Sequence, residues 1–357
     1  MRGARPLARV VVAGAGATGA SIAYNLALLG AQDVVLADPR GVAGGSTSRA
    51  MGGVRQQFST AAEVRLAQAS IRFFADLGAP LFRQVGYLFI ATTEQGLAAL
   101  EERRELQESL GVPVERVDPR EVTGLFADDV LGAVTCREDG VADPSGVCRE
   151  VVRRAAELGV DVREGVDAVE VGGDVLVIAS GPWSRDVAGR VGVDLPIRPL
   201  CRQLVDTEPV DGLPASLPMV IEAETGFHFR RTPAGGLRLA MGEEVSRWGF
   251  ETEVDERLVD DWLARLARRY PPAAGIAVTR AWAGLYDMTP DAHPILGWGG
   301  DGVYAACGFS GHGFMQSPAV GRAVAEEVLH RESELDLSPF RLDRFAGDEV
   351  FPETLVL

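Results

Sequence analysis

The chain has no lysine, so all 35 of its basic side chains are arginine. Chemistry that needs a lysine amine, Schiff-base and pyridoxal-type catalysis among it, is therefore excluded. Cysteine and histidine are scarce. Cys136, Cys148, Cys201 and Cys307 include no CxxC pair, and His228, His293, His312 and His330 are equally dispersed. Zinc or iron–sulfur ligation has no spacing to work with, and no metal site is expected. No apolar run approaches the length of a membrane span, so no transmembrane segment is expected. The N-terminal arginines lead straight into an apolar strand without a signal-type h-region, so a cytoplasmic, reducing location is the expectation. An excess of positive charge is missing too: 51 acidic residues give a net charge of −16. Nucleic acid and anionic membrane surfaces, which need a basic footprint, are excluded as partners.

What is present begins at Arg9. The β-branched run to Ala13 reads as a buried strand. It feeds into Gly14-Ala15-Gly16-Ala17-Thr18-Gly19, then into an apolar stretch, Ala20 to Leu29, that suits a helix closed by Gly30. A second strand, Val34 to Ala37, ends in Asp38. Strand, GxGxxG, helix, strand and acid form the dinucleotide-binding fingerprint in its required context. Gly14 permits the tight turn, Gly16 lets the backbone approach a pyrophosphate, and Gly19 lets helix and strand pack. The helix N-terminus offers N–H groups and a positive dipole end to the phosphates, and Asp38 is placed for the ribose hydroxyls. Beyond Pro39 and Arg40, the loop Gly44-Gly45-Ser46-Thr47-Ser48 can wrap the cofactor with backbone donors.

At 357 residues two domains are the natural division. Gly52-Gly53-Val54-Arg55-Gln56-Gln57-Phe58 is unusual, with two glycines before a cation, two amides and an aromatic. Glu63–Leu77 and Gln95–Leu110 read as helices, and Gly86–Ala91 as a strand leaving the first domain. Asp174–Ala179 is a fully apolar strand, as buried parallel strands are, and Ser180-Gly181-Pro182-Trp183 follows it. From Leu195 to Arg280, proline and alternating strand-like segments such as Gly226–Arg230 and Leu237–Met241 suit a mostly antiparallel sheet. Near the end, strand Val303–Ala306 meets Gly308-Phe309-Ser310-Gly311-His312-Gly313-Phe314, with a helix expected over Ala319–His330. That second glycine turn also points N–H groups at an electron-rich group.

Together these motifs resemble the D-amino-acid-oxidase-like (DAO) superfamily of FAD-dependent oxidoreductases over nearly the whole chain. GFSGHGF and GGVRQQF look most like sarcosine oxidases, sarcosine oxidase β subunits and dye-linked L-proline dehydrogenase β subunits. The resemblance implies an α/β (α+β overall) protein. A Rossmann-like FAD-binding domain would take 1–84, 140–196 and 291–357, and a mostly antiparallel substrate domain 85–139 and 197–290. It also implies oxidation of the C–N bond of a small secondary amine or amino acid, sarcosine-like or proline-like, by hydride transfer to flavin N5, giving an imine that water hydrolyses.

Residue by residue, the resemblance assigns FAD contacts to the 14–19 turn, Asp38–Arg40, Gly45–Arg49, Gly53, Val166, Ser180, Gly181, Trp183 and Gly308–Met315. Departures narrow the activity. The substrate-gripping Arg of glycine and D-amino-acid oxidases is replaced by Tyr286 in Gly284-Leu285-Tyr286-Asp287, and a second one by Phe314. This argues against those oxidases. The flavin-tethering Cys and His of relatives fall at Gly284 and Arg49, so FAD is expected to be non-covalent. The lysine that helps oxygen accept electrons matches Arg238, and the other active-site lysine matches Met315. Arg55 is then the best cation for a substrate carboxylate, as a bidentate fork. His312 is expected to support the flavin electrostatically, and Tyr87, His228, Arg230 and Tyr286 are candidate pocket residues. Where relatives carry a longer β-meander, only Val166–Gly173 remains, which threatens to bare a sheet edge or the adenine.

The missing lysines favour a dehydrogenase that passes electrons to another acceptor or a partner subunit. Three alternatives stay open: a non-catalytic FAD-binding assembly or partner subunit, a D-amino-acid or glycine oxidase, and, on the N-terminal fingerprint alone, an NAD-dependent dehydrogenase.

Overall fold

The run Val10–Ala13 is a strand buried at every position. In the computed structural model, which describes residues 9–347 and 352–356, it lies inside a six-stranded sheet. The order across that sheet is Ile295–Gly300, Val303–Cys307, Val175–Ile178, Val10–Ala13, Val34–Asp38 and Asp161–Glu164. All neighbours run parallel except the edge strand Ile295–Gly300. Parallel strands covered on both faces need unbroken apolar sequence, which VVVA, VLVI and VYAAC supply.

Helix Ala17–Leu28 packs against helices Pro144–Glu157 and Gly313–Val328. The last of these starts six residues before the expected Ala319 and carries Pro318 within it. Proline has no N–H for the carbonyl four residues back. The hydroxyl of Ser317 takes that place, donating to the Phe314 carbonyl at 2.9 Å. The short segment after Gly165 forms a one-turn helix, Ala168–Val171, in which Asp167 caps the Val169 amide. Its Ala168 joins Val11, Ala13, Val35 and Ala37 in one apolar cluster, with Val166 packed beside it. The segment therefore covers the sheet face over the first two strands.

This sheet belongs to one of two compact units. As far as their residues are described, the first takes in Met1–Ala50, Asp143–Pro199 and Tyr286–Val356, and the second Met51–Ala142 and Leu200–Leu285. Residues 1–8, where the absence of a signal segment was read, lie outside the described residues. The stretch 51–84, expected with the first domain, makes its backbone pairings in the second unit. Gly53–Val54 and Phe82–Arg83 both pair with Gly140–Ala142.

The second unit is built on an eight-stranded sheet. Its order is Val278–Met288, Arg198–Thr207, Leu237–Ala240, His228–Arg231, Met219–Glu222, Tyr87–Ala91, Gly132–Cys136 and Val114–Arg116. From Arg198–Thr207 to Val114–Arg116 the pairings are antiparallel except between Met219–Glu222 and Tyr87–Ala91. Side chains alternate faces along a strand, and here the two faces differ in chemistry. Leu88, Ile90, Val205, Val220, Phe229 and Leu239 form a core with Trp262 and Leu266 of helix Glu256–Arg269 and with Tyr270. The opposite face carries Tyr87, Met219, His228, Arg230, Arg238 and Asp206. No described helix is long and apolar enough to cross a membrane, and no acidic, His or Cys cluster among the described residues could hold a metal ion.

Candidate functional site

Three parallel strands, Val10–Ala13, Val175–Ile178 and Val303–Cys307, end at one edge of the first unit's sheet. Each end runs into an expected site motif: the 14–19 turn, Ser180-Gly181, and the turn from Gly308. The carboxyl edge of an open parallel sheet is where such folds bind ligands. Ser180 buttresses this edge, its hydroxyl donating to the Ala13 carbonyl at 3.0 Å. Gly14 has φ +111°, and a methyl group there would lie 2.5 Å from the Ala179 carbonyl oxygen. One on Gly19 would lie 1.8 Å from the Gly14 carbonyl oxygen, so helix and turn touch.

Helix Ala17–Leu28 has no side-chain cap from its N-cap residue Gly16. The Thr47 hydroxyl accepts the Ala17 N–H at 3.1 Å, which joins the expected hydroxyl loop to the glycine turn. The remaining first-turn N–H groups have no intrahelical partner by geometry. Asp38 accepts the Ala15 N–H at 2.9 Å and the Arg40 N–H at 2.7 Å, one on each carboxylate oxygen. Each oxygen keeps a lone pair for a further donor. The Arg40 guanidinium lies 3.8 Å from the centroid of the Trp183 ring. Pro39 is exposed, Arg49 folds back on the carbonyl of Gly45 at 3.1 Å, and the Ser48 hydroxyl donates to the same carbonyl. Ser46 opens the one-turn helix Ser46–Arg49.

The second turn is organised by the last residue of the Gly284–Asp287 segment, for which no role was expected. Asp287 accepts the Gly308 N–H through its carboxylate at 2.7 Å, and its backbone carbonyl accepts the Ser310 N–H at 3.1 Å. Burial pushes its carboxyl up to about 6, against the pull of the Phe309 and Gly308 amides. The only signal in the sequence was one acid inside the apolar stretch Trp282–Met288. Thr289 and Asp291, on either side of Pro290, are structural. Thr289 donates to the His293 carbonyl at 2.7 Å, and Asp291 is gripped by both ends of the Arg344 guanidinium at 2.7 and 3.0 Å. His312 is the N-cap of helix Gly313–Val328, again without a side-chain cap, and the half-buried Tyr286 ring lies against Gly311. Met315 is buried in the helix's first turn, whereas Val166 packs into the apolar cluster under the sheet.

In the second unit the expected residues gather on the polar face of the sheet. Arg55 is 1% exposed. It donates to the Gln57 carbonyl and lies 4.0 Å from the centroid of the Phe58 ring. Its segment is anchored by buried Asp139, which accepts from the Gln56 backbone at 2.9 Å and the Gln57 side chain at 3.0 Å. Burial raises the Asp139 carboxyl to about 6, and these hydrogen bonds oppose the rise. His228 is buried and pushed down to about 4, chiefly by desolvation and further by the charge of Arg55. Its Nδ1 lies 2.7 Å from the Gly226 carbonyl, so that nitrogen carries the proton of the neutral ring. Arg238 is held by Asp206 at both ends, 2.7 Å each, and lies 4.7 Å from the Trp282 ring centroid. Gly53 has no room for a side chain, since a methyl group would overlap the Tyr87 hydroxyl. A cleft of about 480 Å³ elsewhere in this unit is lined by Gln56, Gln68, Arg72, Gln84 and Glu138, and Gln56 alone joins it to the GGVRQQF segment.

The first unit's edge offers two helix N-termini, two glycine turns and an acid at the second strand's end. That donor set fits a dinucleotide with a pyrophosphate and a ribose. Comparisons with known proteins agree. A family model described as FAD dependent oxidoreductase (DAO) matches residues 9–327. FAD-dependent oxidoreductase domain-containing protein 1 of Bos taurus is 28% identical, covering 98% of this chain and 87% of that one. The mitochondrial sarcosine dehydrogenase of Mus musculus is 26% identical, with 95% of this chain and 41% of that protein aligned. Among solved structures, the L-proline dehydrogenase of P. horikoshii superposes with a TM-score of 0.88 at 27% identity, covering 97% of this chain and all of that one. With the cradle and the family match in agreement along the chain, this protein belongs to the DAO family of FAD-dependent oxidoreductases.

Proposed function

We propose that the protein oxidises the C–N bond of a small secondary amine or amino acid of the sarcosine or proline kind. The observation that carries this reading is the sheet face of the second unit, where Arg230 is buried and Arg238 half-buried alongside Tyr87, Met219 and a neutral histidine. Such a face suits an anionic group attached to an apolar amine. The similarity to proteins described as L-proline dehydrogenase and sarcosine dehydrogenase supports the same substrate class.

FAD, when bound, supplies the hydride acceptor. In this reading the 14–19 turn and its helix N-terminus hold the pyrophosphate, and Asp38 takes the ribose hydroxyls. The Gly45–Arg49 loop, Ser180, Gly181 and Trp183 enclose the nucleotide. Gly308–Met315, with His312 at the helix N-terminus, stabilises the electron-rich end of the ring system, and no side chain is covalently attached. Arg55 orients the substrate carboxylate. His228 stays uncharged, so it adds no third cation to the sheet face. Arg238, at the position of the oxygen-assisting lysine of relatives, is already paired with Asp206. We therefore assign electron delivery to an acceptor other than oxygen, or to a partner subunit.

The test is turnover of sarcosine and proline with a dye acceptor, scored by the carbonyl product that imine hydrolysis releases. Product formation with dye at ten times the rate in air is expected. Stoichiometric peroxide in air would overturn the choice of acceptor, and absence of product with every amine tried would overturn the activity.

A further inference from the structure

A row of side chains crosses five strands of the second unit's sheet. Met219 pairs with Tyr87, and Arg238 pairs with both Arg230 and Asp206. Continuing the pairing Val220 with Phe229 puts Met219 beside Arg230. Directly opposed residues share a face, so Tyr87, Met219, Arg230, Arg238 and Asp206 stand in one line. Two guanidinium groups are neighbours there, and like charges so placed are destabilising. Asp206 is spent on Arg238, with a hydrogen bond to each end of its fork.

Arg230 has no carboxylate partner among the described residues. It is 3% exposed. Its Nε donates to the Met51 carbonyl at 2.7 Å and its Nη1 to the Arg231 carbonyl at 3.1 Å. No described protein group takes a hydrogen bond from Nη2. Burial, with the charge of Arg238 adding to it, pushes this group down to about 9. A guanidinium keeps its proton at neutral pH, so the row is short of one negative charge. Breaking or omitting the partner of a buried ion is strongly destabilising. Neutral residues would have been the cheaper choice for packing alone.

We propose that Arg230 is the anchor for the substrate's carboxylate, which it receives on its Nη2 edge, and so sets the preference for amino acids over simple amines. This rests on the amine-oxidising reading above. The bound carboxylate completes the row as two cations with two anions. Arg55, already donating to Gln57, then acts beside it and is not the sole grip.

The experiment compares the FAD-loaded wild type with Arg230→Gln and Arg230→Lys. Reduction of the bound flavin is followed anaerobically with L-proline and sarcosine, and with their carboxylate-free counterparts pyrrolidine and dimethylamine. For Arg230→Gln the half-saturating concentration of the amino acids should rise at least 100-fold, with less than a threefold change for the amines. Arg230→Lys should fall between. Equal losses for both pairs would mean that Arg230 only staples Met51 and would overturn the proposal, as would unchanged amino-acid kinetics. Acetate binding, read by calorimetry on wild type and Arg230→Gln, keeps the two readings separable. If no amine reduces the wild-type flavin, the activity fails, while acetate binding lost in the variant still supports the anion site and unchanged binding sinks it. Should Arg230→Gln lose FAD or fold poorly, Arg230→Lys carries the same comparison.

Discussion

Asp287 accepts the Gly308 N–H at 2.7 Å while its own carbonyl accepts the Ser310 N–H at 3.1 Å. One residue at the end of a long strand thus fixes the turn from which helix Gly313–Val328 springs. Asp287→Ala leaves a buried N–H unmet, a loss of about 1–3 kcal/mol. A fall of several degrees in Tm and reduced FAD content are expected by calorimetry and flavin absorbance. Asp287→Asn retains an acceptor and should lose less.

The same residue gives a pH signature. Its carboxyl, raised by burial to about 6, still holds a proton when the unfolded chain has released it. The native state therefore binds more protons between about pH 4 and 6, and stability falls as pH rises through that window. A shift of this size corresponds to about 3 kcal/mol at most. His228, pushed down to about 4, works in the opposite direction, and Asp139 in the same one. The difference between Asp287→Asn and wild type isolates the first group. Denaturation midpoints should show the variant gaining relative to wild type from pH 4.5 to 7, and a constant difference would refute the assignment.

Ser317 and Pro318 form a compensating pair. Ser317→Ala should cost about 1 kcal/mol because the Phe314 carbonyl loses the hydrogen bond from the Ser317 hydroxyl. With Pro318→Ala added, a backbone N–H becomes available for that carbonyl, and much of the loss should return. A double-mutant cycle of thermal midpoints measures this coupling, and purely additive losses would contradict it.

Gly14 has no tolerated replacement. Gly14→Val combines a left-handed backbone with a side chain driven into the Ala179 carbonyl. The expected outcome is protein with less than a tenth of the wild-type flavin, read from absorbance after gel filtration.

The nucleotide cradle was legible in the sequence because its parts are local: strand, glycine turn, helix and acid follow one another within thirty residues. The helix start at Gly313 was not, since Pro318 signals a boundary and its repair by Ser317 leaves no pattern. Asp139 meets Gln56 from far along the chain, and Asp287 meets Gly308 across a chain reversal, so neither reads as a motif. The charged row from Tyr87 to Arg238 depends on the register of strands from distant parts of the sequence. Tyr87 and Arg230 were visible as pocket candidates and Arg238 as the match to a lysine of relatives, whereas Met219 and Asp206 gave no signal, and the imbalance of charge among them appears only when the strands are aligned.

The most direct measurement of the central claim is anaerobic mixing of the purified yellow protein with a panel of N-methyl amino acids, proline and D-amino acids. The account predicts that sarcosine-like or proline-like members bleach the flavin band within seconds and D-amino acids do not. A flavin that stays oxidised with every amine would contradict it.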